Sequence, residues 1–245
     1  MKNVFPFFLI LFPLTLFGQQ KAEYAPDFLF EDGVYLTFQD FKNNNPVPVT
    51  HILSNSDIRN QNYLELVLDA DSVTYFDNLF EERTISILRI WGFSKGGKPY
   101  IGYNTVSDAV TWENRAWFPM LSVGAYSYFT AVTIVSRFIE PSPGAMMPSR
   151  GTALNDDAMY RNQGGYYDET VPVQMLLDFS NGELIQLAAG DLNAVAPSLV
   201  AVLIGSDQTL VGEYESLTKK EQKQTGMFYV RKYNKRNPVF FPLRD

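Results

Sequence analysis

Short runs of β-branched and aromatic residues recur along the middle of this chain, and they constrain its fold more than any other feature. Asn, Asp, Ser and Gly separate these runs, which cover residues 47–53, 63–68, 73–76, 84–93 and 173–179. Such residues favour strands, and the residues between them favour turns. The pattern therefore predicts a fold in which strands outnumber helices.

Two turn sequences predict hairpins. Residues 94–98 (Ser-Lys-Gly-Gly-Lys) separate two apolar runs, and residues 180–182 (Ser-Asn-Gly) separate two more. Gly and Asn-Gly adopt the backbone conformations that tight hairpin turns require. Because a hairpin joins antiparallel strands, we expect an antiparallel sheet or a sandwich or barrel-like body.

An uncharged stretch covers residues 117–136 and is long enough, as a helix, to cross a bilayer. Pro119 and Gly124 interrupt it, and several Ser and Thr hydroxyls would face lipid without partners. We therefore interpret the stretch as two strands and expect no stable membrane span in the mature chain.

Helix signals stand near both ends of the mature chain. Thr37 precedes Asp40 by three residues, a variant of the capping box, and Asp207 can cap a helix near the C-terminus. Around Asp207, apolar residues recur near the helical period: Val195, Leu199, Val202, Leu203, Leu210, Tyr214 and Leu217. We expect a C-terminal helical pair that ends at Gly226, with a last strand at residues 227–230. The predicted fold class is α+β.

The first residues have the pattern of a secretory signal peptide. Met1-Lys2 is a positive start, and the apolar run at residues 4–17 is shorter than the roughly 20 residues that a membrane helix needs. Gly18 precedes polar sequence and marks the expected cleavage site. Residues 1–18 are thus predicted to be removed, giving a periplasmic, outer-envelope or secreted protein, with an uncleaved membrane anchor as the alternative.

Residues 19–245 are predicted to form one α+β domain with a long loop insertion at about 140–170. That segment is rich in Pro and Gly and has little periodicity. Loops of this length are uncommon unless they are functional or disordered. Its simplest interpretation is a mobile surface insertion, and its alternative is a binding segment.

Composition excludes several classes of function. The 245-residue chain has no Cys and one His, which excludes thiolate metal sites and cysteine nucleophiles, so we expect no metal and no cofactor. Without residues 1–18 it has 19 basic and 27 acidic side chains, a net charge of −8. Such a chain repels phosphate backbones, and we expect no nucleic-acid partner.

Catalytic motifs are weak. Residues 92–96 match G-x-S-x-G around Ser94, but a hairpin turn follows instead of a helix, and His51 stands upstream. Acidic residues remain as possible hydrolase or Ca²⁺-binding groups, including Asp69, Asp71 and Asp156-Asp157. No catalytic residue is assigned, and turn formation explains these acids equally well.

Aromatic residues are the other chemical resource. Tyr166 and Tyr167, beside two glycines in the predicted loop, and Trp112 are candidate binding residues. They would contact an envelope protein or a glycan. The main functional prediction is therefore an exported, non-catalytic binding protein, and the alternative is a carboxylate-dependent hydrolase of glycan or peptide.

Four stretches also resemble a group of exported proteins of Bacteroidota-type bacteria whose role is unknown. They are residues 31–41 (EDGVYLTFQDF), 91–101 (with Trp-Gly-Phe and Gly-Lys), 177–183 (LDFSNGE) and 233–238 (YNKRNP). The resemblance implies a secreted or periplasmic protein. It implies no catalytic or ligand-binding residues.

Overall fold

The computed structural model describes residues 20–105, 111–139, 165–189 and 195–243. The predicted signal peptide (1–18) and residues 140–164 of the predicted insertion lie outside these ranges, as do Asp156 and Asp157. What the sequence predicts for these segments stays a prediction.

Strands dominate the described residues, and helices are concentrated near the C-terminus. The strands are β1 (Lys21–Glu23), β2 (Gly33–Tyr35), β3 (Val47–Pro48), β4 (Ile52–Leu53), β5 (Ser72–Phe76), β6 (Glu82–Ser86), β7 (Gly92–Lys95), β8 (Lys98–Asn104), β9 (Arg115–Ser122), β10 (Tyr126–Ile139), β11 (Gly165–Asp178), β12 (Leu184–Ala189) and β13 (Phe240–Pro242). The α-helices are α1 (Phe38–Lys42), α2 (Tyr63–Leu68), α3 (Pro197–Leu203), α4 (Gln208–Glu215) and α5 (Lys219–Arg236). Single 3₁₀ turns lie at Val49–His51, Ile87–Arg89 and Trp112–Asn114.

The strands form antiparallel sheets. The largest has eight strands in the order β12-β11-β10-β9-β8-β7-β2-β3, and β4-β5-β6 and β1-β13 form two smaller sheets. Neighbouring strands in all three sheets are antiparallel. The prediction of a strand-dominant α+β fold built on antiparallel sheet is therefore confirmed.

An aromatic cluster joins the early and late parts of the chain. The Phe41 ring of α1 stacks on Trp91 at 4.5 Å and on Phe30 at 5.3 Å between centroids. Phe241 of β13 meets Phe30 and Phe41 nearly edge-on, and it is fully buried. Offset and edge-to-face pairs of this kind add to the free energy gained by burying the rings.

A second core lies beneath α2. Its buried residues include Tyr63, Leu64, Val67 and Leu68 of this helix, together with Phe93 of β7. The Tyr63 hydroxyl donates to the Ile52 carbonyl at 3.2 Å and so links α2 to β4. The small sheet β4-β5-β6 shares this core through Ile52 and Val73, which attaches it to the large sheet.

The three C-terminal helices pack against the far end of the large sheet. Val230 of α5 and Leu203 of α3 contact Leu176 of β11 in one buried cluster. The Asn234 side chain of α5 accepts from the Tyr126 N–H at 2.8 Å and donates to the Tyr126 carbonyl at 2.7 Å. This pair of hydrogen bonds fixes α5 at the first residue of β10.

Local signals placed several elements correctly. Thr37 and Asp40 form the expected capping box of α1, and Asp207 caps α4 by accepting from the Leu210 N–H. Gly96 and Gly97 have φ of +58° and +72° in the predicted turn between β7 and β8. The uncharged stretch at 117–136 lies mainly in β9 and β10, as two strands.

Other local predictions were wrong. Residues 63–68 form helix α2 instead of a strand, because one face of the helix is buried in the second core. Residues 227–230 lie inside α5, not in a strand, and Gly226 does not end that helix. A capping box between Thr218 and Glu221 starts α5, so three helices stand where the sequence predicted a pair.

The predicted C-terminal bound of the insertion, at about residue 170, was wrong. Residues 165–170, assigned to the loop by their Gly content, belong to β11 and pair with residues 134–139 of β10.

Within the part of the chain that the structure describes, no helix is long and apolar enough to cross a bilayer.

Gly226 marks a close approach between helices. A Cβ at this position would lie 3.0 Å from Cγ2 of Val200 and 3.3 Å from Cβ of Val195. At Gly212 in α4, by contrast, an added Cβ meets nothing within 4 Å. The two glycines form a matched pair for testing how α5 packs.

We predict that Gly226→Val lowers the free energy of unfolding by about 1–3 kcal/mol, because the added side chain overfills the contact. Gly212→Val should change it by less than about 0.5 kcal/mol, since Val is the slightly better helix former. Urea unfolding followed by circular dichroism measures both values. Equal values for the two variants would contradict the close packing at Gly226.

Candidate functional site

The groups that could support catalysis are mostly engaged in local structure. His51, Asp40 and Asp77 line one small cavity of about 140 Å³. Asp40 is part of the capping box of α1, and the His51 ring contacts the Phe80 ring at 5.8 Å. The side chains that meet in this cavity therefore already have structural partners.

Asp77 organises the turn between β5 and β6. Its carboxylate accepts from the Glu81 N–H at 3.0 Å and the Leu79 N–H at 2.8 Å, and Arg83 Nε donates to it at 3.1 Å. The hydrogen bond from the Glu81 backbone is the main cause that lowers the pKa of Asp77. Since Asp77 is thus held in its ionised form, it is a turn-forming residue and a poor proton donor.

Ser94 cannot act as an exposed nucleophile in this conformation. It lies within β7, opposite Gly33 of β2, and is fully buried. A nucleophile elbow needs its serine at a sharp turn between a strand and a helix, whereas here the hairpin turn follows at Gly96 and Gly97. The rejection of the G-x-S-x-G match therefore agrees with the geometry.

Within the described ranges, no group of three or more His, Asp or Glu side chains is placed to hold a metal ion. Asp71, one of the acids that the sequence offered as a possible Ca²⁺-binding group, accepts from the Ser72 hydroxyl at 3.0 Å. Asp69 follows the last residue of α2.

The end of the β10–β11 hairpin exposes aromatic side chains on a two-stranded ribbon. We call residues 134–138 and 166–170 the ribbon. Tyr166 is 74% exposed, Tyr167 41% and Phe138 54%. Phe138 and Tyr166 are direct cross-strand partners, with ring centroids 5.1 Å apart and planes inclined by 52°. The two predicted tyrosines therefore lie on a strand, next to an aromatic residue that the sequence did not single out.

The ribbon extends past its neighbouring strands. The register of β11 with β12 reaches Val173, and on the other side the Ile134 N–H donates to the Thr105 carbonyl at 2.8 Å. Among the described residues, no strand pairs with the outer edges of residues 135–138 and 166–170. Cross-strand polar contacts stabilise it, namely Arg137 with Glu169 at 2.5 Å and Ser136 with Asp168 at 2.5 Å.

Trp112 is not brought to the ribbon by any described contact. Its backbone belongs to the 3₁₀ turn Trp112–Asn114, just before β9, and its side chain lies outside the described part of the chain. Tyr166 and Tyr167 are thus neighbours on β11, and what the sequence predicts for the Trp112 side chain stays a prediction.

A larger cleft, which the sequence did not predict, separates α2 from β9. It has a volume of about 510 Å³, and we call it the α2–β9 cleft. Its lining includes Glu65 of α2 and Asp69, the residue that follows this helix. Arg115 and Trp117 of β9 also line it. It thus combines charges of both signs with an aromatic ring.

Arg115 is the most unusual group in this cleft. Its Nη2 donates to the Ile90 carbonyl at 2.6 Å, its guanidinium carbon lies 5.3 Å from the Trp117 ring centroid, and Nε is buried without a hydrogen-bond partner. None of the ion pairs in the described residues includes Arg115. Burial lowers the pKa of Arg115 to about 10, which still leaves it charged at neutral pH.

Glu65 faces Arg115 across the same cleft with one free oxygen. Its Oε1 accepts from Lys95 Nζ at 2.5 Å, whereas its Oε2 is buried and has no partner in the described part of the chain. A buried polar atom without a partner costs free energy, so Arg115 and Glu65 each carry an unsatisfied group beside this cleft.

No family model, curated protein or solved structure was found to match the chain. The resemblance to exported Bacteroidota-type proteins therefore stays a prediction, and the function has to be argued from geometry.

The position of Arg115 depends on Gly102 in β8. A Cβ on Gly102 would lie 2.3 Å from Nη2 of Arg115, so Gly102→Ala must displace the guanidinium from the Ile90 carbonyl. We predict a loss of about 1–3 kcal/mol in the free energy of unfolding, the cost of leaving a buried acceptor unpaired.

A double-mutant cycle in urea checks this prediction. Combining Gly102→Ala with Arg115→Ala should cost less than the sum of the single variants, because both disturb one interaction. Strict additivity would show that the glycine and the guanidinium are not coupled. Gly212→Ala, at an open helical position, is the control and should raise stability by about 0.5–1 kcal/mol.

Proposed function

We propose that this chain is an exported, non-catalytic binding protein that contacts a partner protein through the ribbon. The observation that carries the proposal is the Phe138–Tyr166 pair, two exposed aromatic rings that pack against each other beyond the last described pairing with β9 and β12. Exposed aromatic residues are enriched in protein interfaces, where they contribute large apolar areas at little entropic cost.

The ribbon geometry favours a protein over a glycan. A glycan platform needs aromatic faces that lie flat toward the ligand, whereas the Phe138 and Tyr166 planes are inclined by 52°. Apolar side chains also stand on both faces, because Tyr167 and Val135 point opposite to Tyr166 and Ile134 in the strand alternation. A partner protein can cover such a two-sided surface.

The strand edges supply a second means of recognition. Edge strands present backbone N–H and C=O groups to which an extended segment of another protein can add. Isolated two-stranded ribbons are marginally stable, so an added strand would also stabilise this one. The side chains would then select the partner, and the backbone would provide affinity.

Export rests on the sequence of residues 1–18. The short apolar segment with its positive start supports secretion. The partner proposed here would accordingly be another envelope or secreted protein.

The partner surface can be tested by placing a photo-crosslinking p-benzoylphenylalanine at Tyr166 in the tagged chain in its native cell. We expect a discrete adduct that contains a second protein and that unlabelled wild-type chain competes away. The same probe at Phe228, an apolar residue of α5 that is 59% exposed, is the matched control and should give no competed adduct.

The double variant Phe138→Ser/Tyr166→Ser should abolish binding of the identified partner while changing stability by less than about 0.5 kcal/mol per exposed residue. An adduct that contains two copies of this chain would show that the ribbon binds a second copy of the chain and not a different protein. A glycan adduct, or equal crosslinking from both positions, would contradict the proposal.

Export predicts a mature chain that begins at Gln19. Intact mass of the tagged protein recovered from the envelope and from the medium measures this directly. A full-length precursor that remains in the cytosol would contradict export without affecting the argument for the ribbon.

One observation favours the alternative of a carboxylate-dependent hydrolase. Glu65 and Asp69 line the same cleft and are four residues apart in and just after α2, a spacing that puts Cβ atoms about 5–6 Å apart on a helix. However, Lys95 occupies one Glu65 oxygen, so this carboxylate already serves as an ion-pair partner. This alternative is tested by adding dialanine to the protein and measuring whether free alanine is released.

A further inference from the structure

The α2–β9 cleft is lined by two acidic side chains, Glu65 and Asp69, and by one basic side chain, Arg115. Glu65 is paired with Lys95, whereas Arg115 has no acidic partner and Asp69 has no basic one among the described residues. The cleft thus presents one unpaired cation on β9 and unpaired carboxylate oxygens beside α2.

A ligand that compensates this arrangement must carry both charges. A carboxylate beside Arg115 would be attracted by the guanidinium charge and would accept from Nη1, whose hydrogen bond to Asn104 Oδ1 is 3.5 Å long, against 2.6 Å for Nη2 and the Ile90 carbonyl. An ammonium group beside α2 would donate to the Asp69 carboxylate and lie near the negative charge of Glu65. A ligand with only one of these groups would leave the opposite charge uncompensated and meet like charge on the other wall.

We propose that the α2–β9 cleft binds a small zwitterion with a carboxylate and an ammonium group, of the class of free amino acids and short peptides. The volume of about 510 Å³ lies in the range of small-molecule sites. Trp117, Leu66 and Leu68 supply the apolar part of the lining. This site is separate from the ribbon, and the inference goes beyond the proposed partner binding.

Burial supports the assignment to Arg115. The guanidinium is desolvated, with its pKa lowered to about 10, so a nearby anion would interact with it more strongly than with a solvated arginine. The hydrogen bond to the Ile90 carbonyl and the contact with Trp117 hold the group in place before any ligand arrives. Preorganisation of this kind reduces the entropy lost on binding.

Calorimetric titration of the full mature chain tests the proposal with three probes of similar size. Dialanine carries both charges, N-acetyl-dialanine carries only the carboxylate, and dialanine amide carries only the ammonium. We expect dialanine to bind with Kd of about 1 mM or below, and each blocked probe to bind at least about tenfold more weakly. Absence of saturable dialanine binding, or equal binding of all three probes, would overturn the proposal.

Variants assign the two ends of the ligand. Arg115→Met should weaken dialanine binding at least about tenfold and should not weaken binding of the amide probe, which has no carboxylate for Arg115 to contact. Glu65→Gln keeps the shape of the side chain and should reduce the preference for dialanine over N-acetyl-dialanine. This second variant keeps the test valid if the Arg115 variant fails to fold. Arg59→Met removes an arginine whose side chain is 87% exposed and should have no effect. An equal loss with Arg59→Met, or an unchanged preference in Glu65→Gln, would overturn the assignment.

Two further readouts separate this site from the function proposed above. The variant Phe138→Ser/Tyr166→Ser should bind dialanine like the wild type. If the ribbon proved not to bind a partner protein, the proposal for the cleft would therefore still stand. Release of free alanine from dialanine would support binding in the cleft and would overturn the proposal that the protein is non-catalytic.

Discussion

Packing among aromatic rings around Phe41 and Phe241 is the interaction on which the remaining structure depends. Phe241, near the C-terminus, contacts Tyr24, Phe28, Phe30 and Phe41 from the N-terminal part of the described chain and Phe179 from the hairpin turn after β11. With no cysteine in the chain, no disulfide can supply this connection. The rings connect the terminal strands to the large sheet, and the sheet in turn positions both the ribbon and the cleft.

Local chemistry explains which elements the sequence could predict. The capping residues Thr37 and Asp207 and the glycines at 96–97 act through their own neighbours in sequence, and the structure places each as expected. Residues 63–68 and 227–230 contain strand-forming side chains, but burial of one helical face outweighs that preference. Such burial depends on partners distant in sequence, which a local pattern does not contain.

The two candidate sites also differ in how much of each could be predicted from the sequence. Tyr166 and Tyr167 could be singled out because consecutive aromatic residues beside glycine suggest exposure, although their place on a strand was missed. Arg115 and Glu65 gave no signal, since each is an ordinary charged residue in its own segment. Only the pairing of β8 with β9 and the packing of α2 place them on one cleft. A buried guanidinium without an acid is visible only in three dimensions.

The pairing of β1 with β13 has a consequence for the order of folding. Residues 21–23 hydrogen-bond to residues 240–242, so two segments more than 200 positions apart must meet before the aromatic cluster is complete. Contacts of such long range slow folding because the intervening chain has to be ordered first. A nascent polypeptide therefore cannot complete the aromatic cluster until residues 240–242 have been synthesised.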